Sequence, residues 1–432
     1  MKTLPIRPLP PPLRDQVVAA GPWRVAHLMY APHRLAFAAG AAMLAVTGLW
    51  WSFALTARHA ALALPWAVTP SAAHGLVMAL GFMPFFIVGF AFTAGPRWLG
   101  LPEVSTRVLR APLVSMLGGW LLALLGFHQS ALWAASGVAA VALGWSVIVH
   151  RFVGLLNRSA AQDKLHPTLL AATAGLGALS LWVAAAALAL IDVTLLRAAT
   201  SLALWGFLVP LFVTVAHRML PFFTASALPL QRAWRPNALL WTMLAAVVAQ
   251  LPFAVTELWW WPLPAWARWA QVVVELTAAV LLLWLSVRWG LVQSLKNRLL
   301  AMLHTGFLWL GITFALGAVS HALMAWRGPE HSLGLAPLHA LTMGYLGSTL
   351  VAMATRVTAG HSGRPLAADN VAWALFWVLQ TAVLLRLASA IWPAAGALLL
   401  LAAIAAWSLA MVGWALRYGR WLGRPRADGR QG

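Results

Sequence analysis

The sequence predicts an all-α protein, a polytopic membrane bundle of about twelve transmembrane helices with both termini on the cytoplasmic side. Three observations carry that prediction. First, the 432 residues are 62% hydrophobic and only 9% charged, with a mean hydropathy of +0.82. A soluble domain carries about 25% charged residues, and no water-soluble fold could cover so much apolar surface. Second, the apolar residues come in runs of roughly the 20 residues that a spanning helix needs. They do not form the alternating strands of about ten residues that mark an outer-membrane barrel. Third, the basic residues alternate between successive connections, as the positive-inside rule requires.

Taken in order, residues 1–33 are Pro-rich and basic and are expected to be a cytoplasmic segment. They are not a cleavable signal, because the apolar run that follows is too long for a signal h-region. The transmembrane domain is expected over 34–416, with spans near 35–56, 72–95, 111–127, 130–150, 167–191, 197–216, 237–255, 268–288, 299–325, 334–356, 370–390 and 393–415. The third and fourth are joined by a tight turn around His128. Residues 417–432 form a basic cytoplasmic tail.

Charge placement tests the count. With the N-terminus inside, the cytoplasmic segments hold Lys2, Arg7, Arg14, Arg24 and Arg34, then Arg97, Arg107 and Arg110, then Arg151, Arg158 and Lys164. Further along they hold Arg218, Arg232 and Arg235, then Arg288, Lys296 and Arg298, then Arg356 and Arg364, and finally Arg417, Arg420, Arg424, Arg426 and Arg430. That is 24 of the 29 Lys and Arg, leaving Arg58, Arg197, Arg268, Arg327 and Arg386 elsewhere. A missed span would scramble this alternation downstream, so the chain is placed in a bacterial inner membrane with both ends inside.

The net charge of +20 is thereby a matter of topology. The basic residues form no single stripe with stacking aromatics, so nucleic acid is not an expected partner; membrane lipids are. With no cysteine, thiol chemistry, disulfides and iron–sulfur clusters are excluded. Any metal must take His, Met, carboxylate or carbonyl ligands. Many of the 27 Trp lie near span ends, where aromatic belts form.

Ionisable side chains inside spans default to functional hypotheses. Carboxylates are few: Glu275, with Asp192 near an outer end, while Arg386 lies in the eleventh span. Histidines are the richer set. His74 opens the second span and His339 the tenth, both toward the outer face. An internal echo links them: His74-Gly75-Leu76-Val77-Met78 matches His339-Ala340-Leu341-Thr342-Met343, and each is followed by Thr-Ala-Gly, at Thr93 and Thr358, 19 residues on. Two neutral imidazoles at one depth can hold a haem iron from both sides, in an apolar pocket between helices. The bland alternative has each His capping its helix or bonding a carbonyl. At the inner side stand His304, His217 and His361, with Arg218, Arg356 and Arg364 nearby. These can hold a second metal or haem propionates, or serve simply as interfacial residues and topology determinants. His27, His33, His59, His128, His150, His166, His321 and His331 are expected to be solvated. Met78, Met83, Met343 and Met353 can supply soft ligands for copper, or core packing. No serine, cysteine or paired-carboxylate catalytic arrangement is present.

Ala336-Pro337-Leu338-His339-Ala340-Leu341-Thr342-Met343-Gly344 continues through Ala352-Met353-Ala354-Thr355-Arg356-Val357-Thr358-Ala359-Gly360-His361-Ser362-Gly363-Arg364-Pro365-Leu366. This stretch resembles the signature of the NnrS family, whose members carry a close variant of HALTxGxxG…MxTRxxxGHTGRPL. Other segments agree. Gly89 to Gly100, downstream of His74, is similar to the family's GFLLTAxPNWTG. His217 to Thr224 resembles RxxPFFT, and Leu303 to Trp309 resembles LHLGYxW. One departure stands out. The family's second-span motif reads His-x-His-Glu, whereas this chain has Ala72-Ala73-His74-Gly75, so it resembles a divergent member.

The resemblance implies haem and copper binding and protection against nitric oxide. By position it makes His74, His217, His304, His339 and His361 the metal-ligand candidates, with haem b between His74 and His339. His304, Arg356 and Arg364 are the further cofactor-binding candidates. Ligands on spans two, six and ten also resemble those of haem–copper oxidases, at the level of architecture alone. The expected function is a haem-binding, copper-associated membrane protein of nitric oxide and nitrosative-stress resistance. Nitric oxide is its small gas ligand, and a redox partner, a homo-oligomer and enzymatic turnover are left open. The alternative is a cofactor-free secondary transporter, in which Pro84 and Pro210 break helices near a midplane site.

Overall fold

The computed structural model describes residues 21–228 and 233–429. Lys2, Arg7, Arg14, Arg232 and Arg430, and most of the segment 1–33, lie outside the described residues. Among the described residues there is helix and no strand. The spans, in chain order, are α1 Pro32–His59, α2 Pro70–Trp98, α3 Arg107–Gln129, α4 Ala131–Arg158, α5 Leu165–Ala189 and α6 Val193–Ala227. They continue as α7 Asn237–Trp259, α8 Ala265–Arg288 and α9 Arg298–Arg327, then α10 over 336–361, α11 Asn370–Ile391 and α12 Gly396–Leu422.

Eleven of these helices are long and apolar enough to cross a membrane, and α10 is the one that is not. The reason is its place in the bundle. Most of α10 is buried, including Tyr345, Ser348, Thr349, Thr355 and Thr358, so its solvent is protein, not lipid. Two of these are met by neighbouring helices, while the Tyr345, Thr349 and Thr358 hydroxyls have no partner among the described residues: Gln380 on α11 donates to Ser348 Oγ (2.9 Å), and Trp309 Nε1 on α9 donates to Gln380 Oε1 (2.8 Å). Trp414 Nε1 on α12 donates to Thr355 Oγ1 (2.8 Å). The chain ends decide its status as a span. Arg24 N and His27 Nδ1 both donate to the Gly423 carbonyl (each 2.8 Å). Both ends therefore meet at one end of the bundle, the number of crossings is even, and α10 is the twelfth.

The helices outrun the apolar stretches by a turn or more. Arg107 and Arg110 lie inside α3, and α12 continues through Arg417 and Arg420 to Leu422, past the expected start of the tail. The tight α3–α4 turn is present at Ser130. Glycine makes that hairpin close: a Cβ on Gly119 would lie 2.5 Å from the Gly137 carbonyl, and one on Gly126 would lie 2.2 Å from Ala134 N. Backbones can approach that far only where a side chain is missing.

Four spans are irregular, of which α7 is interrupted at Ala249, between Val248 and Gln250. In α2 the helix stops at Gly81–Phe82 and restarts at Met83, with Pro84 in its first turn, where no N–H is needed. In α6 a π segment, Ala203–Leu208, lies just ahead of Pro210. In α10 another π segment, Ala340–Gly347, begins directly after His339. Such wide turns concentrate at functional sites.

Candidate cofactor cavity

A cavity of about 370 Å³ opens between α1, α2, α10, α11 and α12, toward the end of the bundle away from the chain termini. His74 and His339, 265 positions apart in sequence, line the same cavity. Each is set by its helix start. Pro70 begins α2 one turn before His74, and Pro337 lies in the first turn of α10. The His74 ring is half-buried and stacks on Trp51 of α1, with centroids 4.0 Å apart and planes at 19°. Its Nδ1 is buried without a hydrogen-bond partner, which a native interior seldom tolerates. His339 Nδ1 donates to the Leu335 carbonyl (2.9 Å). A carbonyl can only accept, so the proton is on Nδ1 and the Nε2 lone pair is left for a ligand, the usual outer-shell arrangement of a metal-binding imidazole.

The remaining wall is largely apolar: Leu55, Phe82, Leu400, Ile404 and Trp407, with the thioethers of Met78, Met83 and Met343. Two guanidinium groups interrupt it, Arg58 and Arg386, and no carboxylate is on the wall. Trp51, Leu55, Arg58 and Pro70 also face a second space of about 300 Å³ beneath Leu62, Leu64 and Trp66. The cavity therefore reaches toward the loop between α1 and α2. His128 holds that loop down: its Nδ1 donates to the Pro65 carbonyl (2.8 Å) and its Nε2 accepts from Trp50 Nε1 (2.9 Å). Ala72 and Gly75, where the family pattern has His and Glu, are not on the cavity wall.

The other candidates, His217, His304, His361, Arg356 and Arg364, are not on this cavity wall and have partners of their own. Buried His304 of α9 bonds Thr224 Oγ1 of α6 (2.9 Å), and its Nδ1 has no partner. Buried His217 accepts at Nδ1 from His166 Nε2 (3.1 Å) and donates from Nε2 to the Pro236 carbonyl (3.2 Å). The His361 ring packs against His33 (4.4 Å between centroids). Arg356 lies over the Phe223 ring (4.0 Å) and Arg364 over the Trp421 ring (4.4 Å). Met353 lines a separate small cavity. Among the described residues no three His, Asp or Glu side chains gather as a metal site.

Several histidines expected to be solvated are not. His33 is 3% exposed and His166 1%, because α1 and α5 begin earlier than their apolar runs and pack at those extra turns. His321 Nδ1 meets Glu275 Oε2 at 2.7 Å across α8 and α9, where Gly317 leaves room for the carboxylate. Asp192, just ahead of α6, is an N-cap, its side chain accepting from Leu195 N (2.9 Å). Of the two arginines on this wall, Arg386 is marked in the sequence by its place inside an apolar span but not assigned to the cavity, and Arg58, just past the expected end of the first span, carries no signal.

The NnrS protein family model matches residues 27–426, nearly the whole chain. The chain belongs to the NnrS family. At the coarse level this makes it a membrane protein of the nitric oxide response. A comparison with curated proteins returned no match. The segments that resemble the family's motifs lie in the second half of α2, the C-terminal end of α6, α9 and α10.

Proposed function

We propose that this NnrS protein binds haem b between His74 and His339 and contributes to resistance against nitric oxide and nitrosative stress. One observation carries the reading: two imidazoles from distant segments face one apolar cavity, and one of them holds a buried ring nitrogen with no partner. A cavity of about 370 Å³ lies within the range of cofactor sites. The donor set fits the group. His339 presents Nε2, Trp51 fixes the plane of His74, and Arg58 and Arg386 supply counter-charge for the two propionates. Haem, when bound, supplies a one-electron couple and a coordination position for a diatomic gas. The protein's part is to orient two imidazoles, keep water out with Phe82, Ile404 and Trp407, and leave a route toward the outer loop. For nitric oxide to bind iron, one of the two imidazoles must leave. Copper is the second proposed metal, supported by Met78, Met83 and Met343 on the same wall, since thioethers suit Cu(I). The membrane is a bacterial inner membrane, with both chain ends cytoplasmic.

The test is optical. The full chain, purified in detergent from haem-replete cells, is expected to show a Soret band that sharpens and shifts on dithionite reduction. His339→Ala should abolish or alter it, while His361→Ala should leave it in place. A colourless protein obtained in normal yield would reject the haem reading and favour the cofactor-free transporter, for which the break ahead of Pro84 and the π segment ahead of Pro210 are the supporting features.

A further inference from the structure

Far from that cavity, at the end of the bundle where both chain ends meet, three segments bring arginines together. Arg34 in the first turn of α1 is only 2% exposed. Its Nη1 donates to the carbonyls of Leu422 (3.2 Å) and Arg424 (2.8 Å) in the C-terminal tail. Its Nη2 is buried and has no partner. The tail is laced onto the turn that follows α10: Ala427 N donates to the Ser362 carbonyl (2.9 Å), and Arg426 Nη1 donates to the His361 carbonyl (3.2 Å). Arg364 on that turn and Arg424 on the tail add two more buried guanidinium nitrogens without partners, Nη1 and Nε respectively.

The local carboxylates are already paired with other arginines, Asp428 among them although it lies against Gly363 beside the cluster. Asp428 pairs with Arg426, Asp369 with Arg417, and Glu103 with Arg97 (3.6 Å). His33 and His361 sit against each other beside the cluster and contribute no negative charge. A buried cationic donor without an acceptor is among the costliest groups a fold can hold. Topology alone asks only for positive charge near the surface; it gives no reason to bury Arg34 with an N–H unspent. The partner such a group calls for is an anion with several acceptor oxygens.

We propose that Arg34, Arg364 and Arg424 form a phosphate-group site at this rim of the bundle, filled by the headgroup of an acidic phospholipid. Guanidinium forks match phosphate oxygens in geometry as well as charge, and the site lies at the depth where span ends meet headgroups. The bound lipid would join the start of α1, the end of α10 and the tail, three segments otherwise held by backbone hydrogen bonds.

The experiment uses the delipidated full chain in detergent. Phosphatidylglycerol is titrated in mixed micelles, with phosphatidylcholine in parallel and inorganic phosphate as a separate probe. The readouts are the apparent unfolding temperature and retention of lipid by native mass spectrometry. Phosphatidylglycerol is expected to raise the unfolding temperature and to stay bound, and phosphatidylcholine to do neither. Arg364→Gln and Arg34→Lys should each weaken the effect about tenfold, the loss of one charge-assisted contact. Arg424→Gln, in the tail and outside the spans, gives the same reading should either of those variants fail to fold. Arg420→Gln, an exposed arginine of α12 outside the cluster, should bind like the unaltered protein. A rise with inorganic phosphate alone, lost in the same variants, would keep the site and make free phosphate its ligand. No rise with either probe, or variants that bind phosphatidylglycerol as before, would overturn the proposal.

Discussion

Arg386 is costly where it lies, in the eleventh span, half-buried, with only Ser389 Oγ as a side-chain partner (3.0 Å) and no carboxylate on the cavity wall. An intramembrane arginine of that kind needs a function to explain it. If it faces haem propionates, its charge disfavours the oxidised, more positive haem. Arg386→Gln should therefore lower the haem midpoint potential, by tens of millivolts as an order of magnitude for a one-electron couple. Potentiometric titration followed at the Soret band checks this, and Arg386→Lys should recover most of the shift. A midpoint unmoved in Arg386→Gln, with haem retained, would remove Arg386 from the site. At this scale the sequence was legible in part. His74 and His339 were found through their echo, because spacing and motif survive in one dimension. Arg58 and Arg386 were not, because their relevance lies in a shared wall, which only packing creates. The burial of His33 and His166 was equally hidden, since a polar residue at the edge of an apolar run carries no mark of whether the helix continues past it.

Helix α10 shows what a low-apolarity span means in a bundle. Its Thr, Ser and Tyr positions would be expensive against lipid, yet inside the protein Ser348 accepts from Gln380, itself held by Trp309, and Thr355 accepts from Trp414. Gln380 is the hub, accepting from α9 and donating to α10 in one side chain. Gln380→Ala would leave both the Trp309 N–H and the Ser348 hydroxyl without that partner. The expected cost is about 1–2 kcal/mol, intermediate between the penalty for unsatisfied buried groups and the modest value of interhelical hydrogen bonds in membranes. Scanning fluorimetry in detergent should show a lower unfolding temperature for Gln380→Ala and a smaller drop for Ser348→Ala, which breaks only the α11–α10 bond. Equal and negligible shifts would mean that the network does not hold α10 in place. The π segment that begins after His339 could not be read from the sequence, because no proline announces it, unlike the one ahead of Pro210.

For the whole molecule, the span count was legible because hydropathy and charge alternation are one-dimensional signals, and the meeting of Arg24 and His27 with Gly423 makes the number of crossings even. That contact fixes both ends to one side without saying which side. The orientation rests on charge, and the structure removes much of what weighs against it. Of the arginines assigned outside or within the eleventh span, Arg268 is buried and paired with Glu257, so it hardly counts as a free topological charge. Arg58 and Arg386 face the cavity, where counter-charge is their proposed role. Only Arg197 and Arg327 remain as outer charges without such an account, against the arginine-rich connections of the opposite end. A C-terminal fusion to a fluorescent protein that folds only in the cytoplasm should therefore glow, and a C-terminal fusion to a periplasm-dependent phosphatase should be inactive. The same phosphatase inserted in the loop between α9 and α10 should be active. The reverse pattern would turn the bundle over, placing the His74–His339 cavity at the cytoplasmic end and the Arg34 cluster at the periplasmic one.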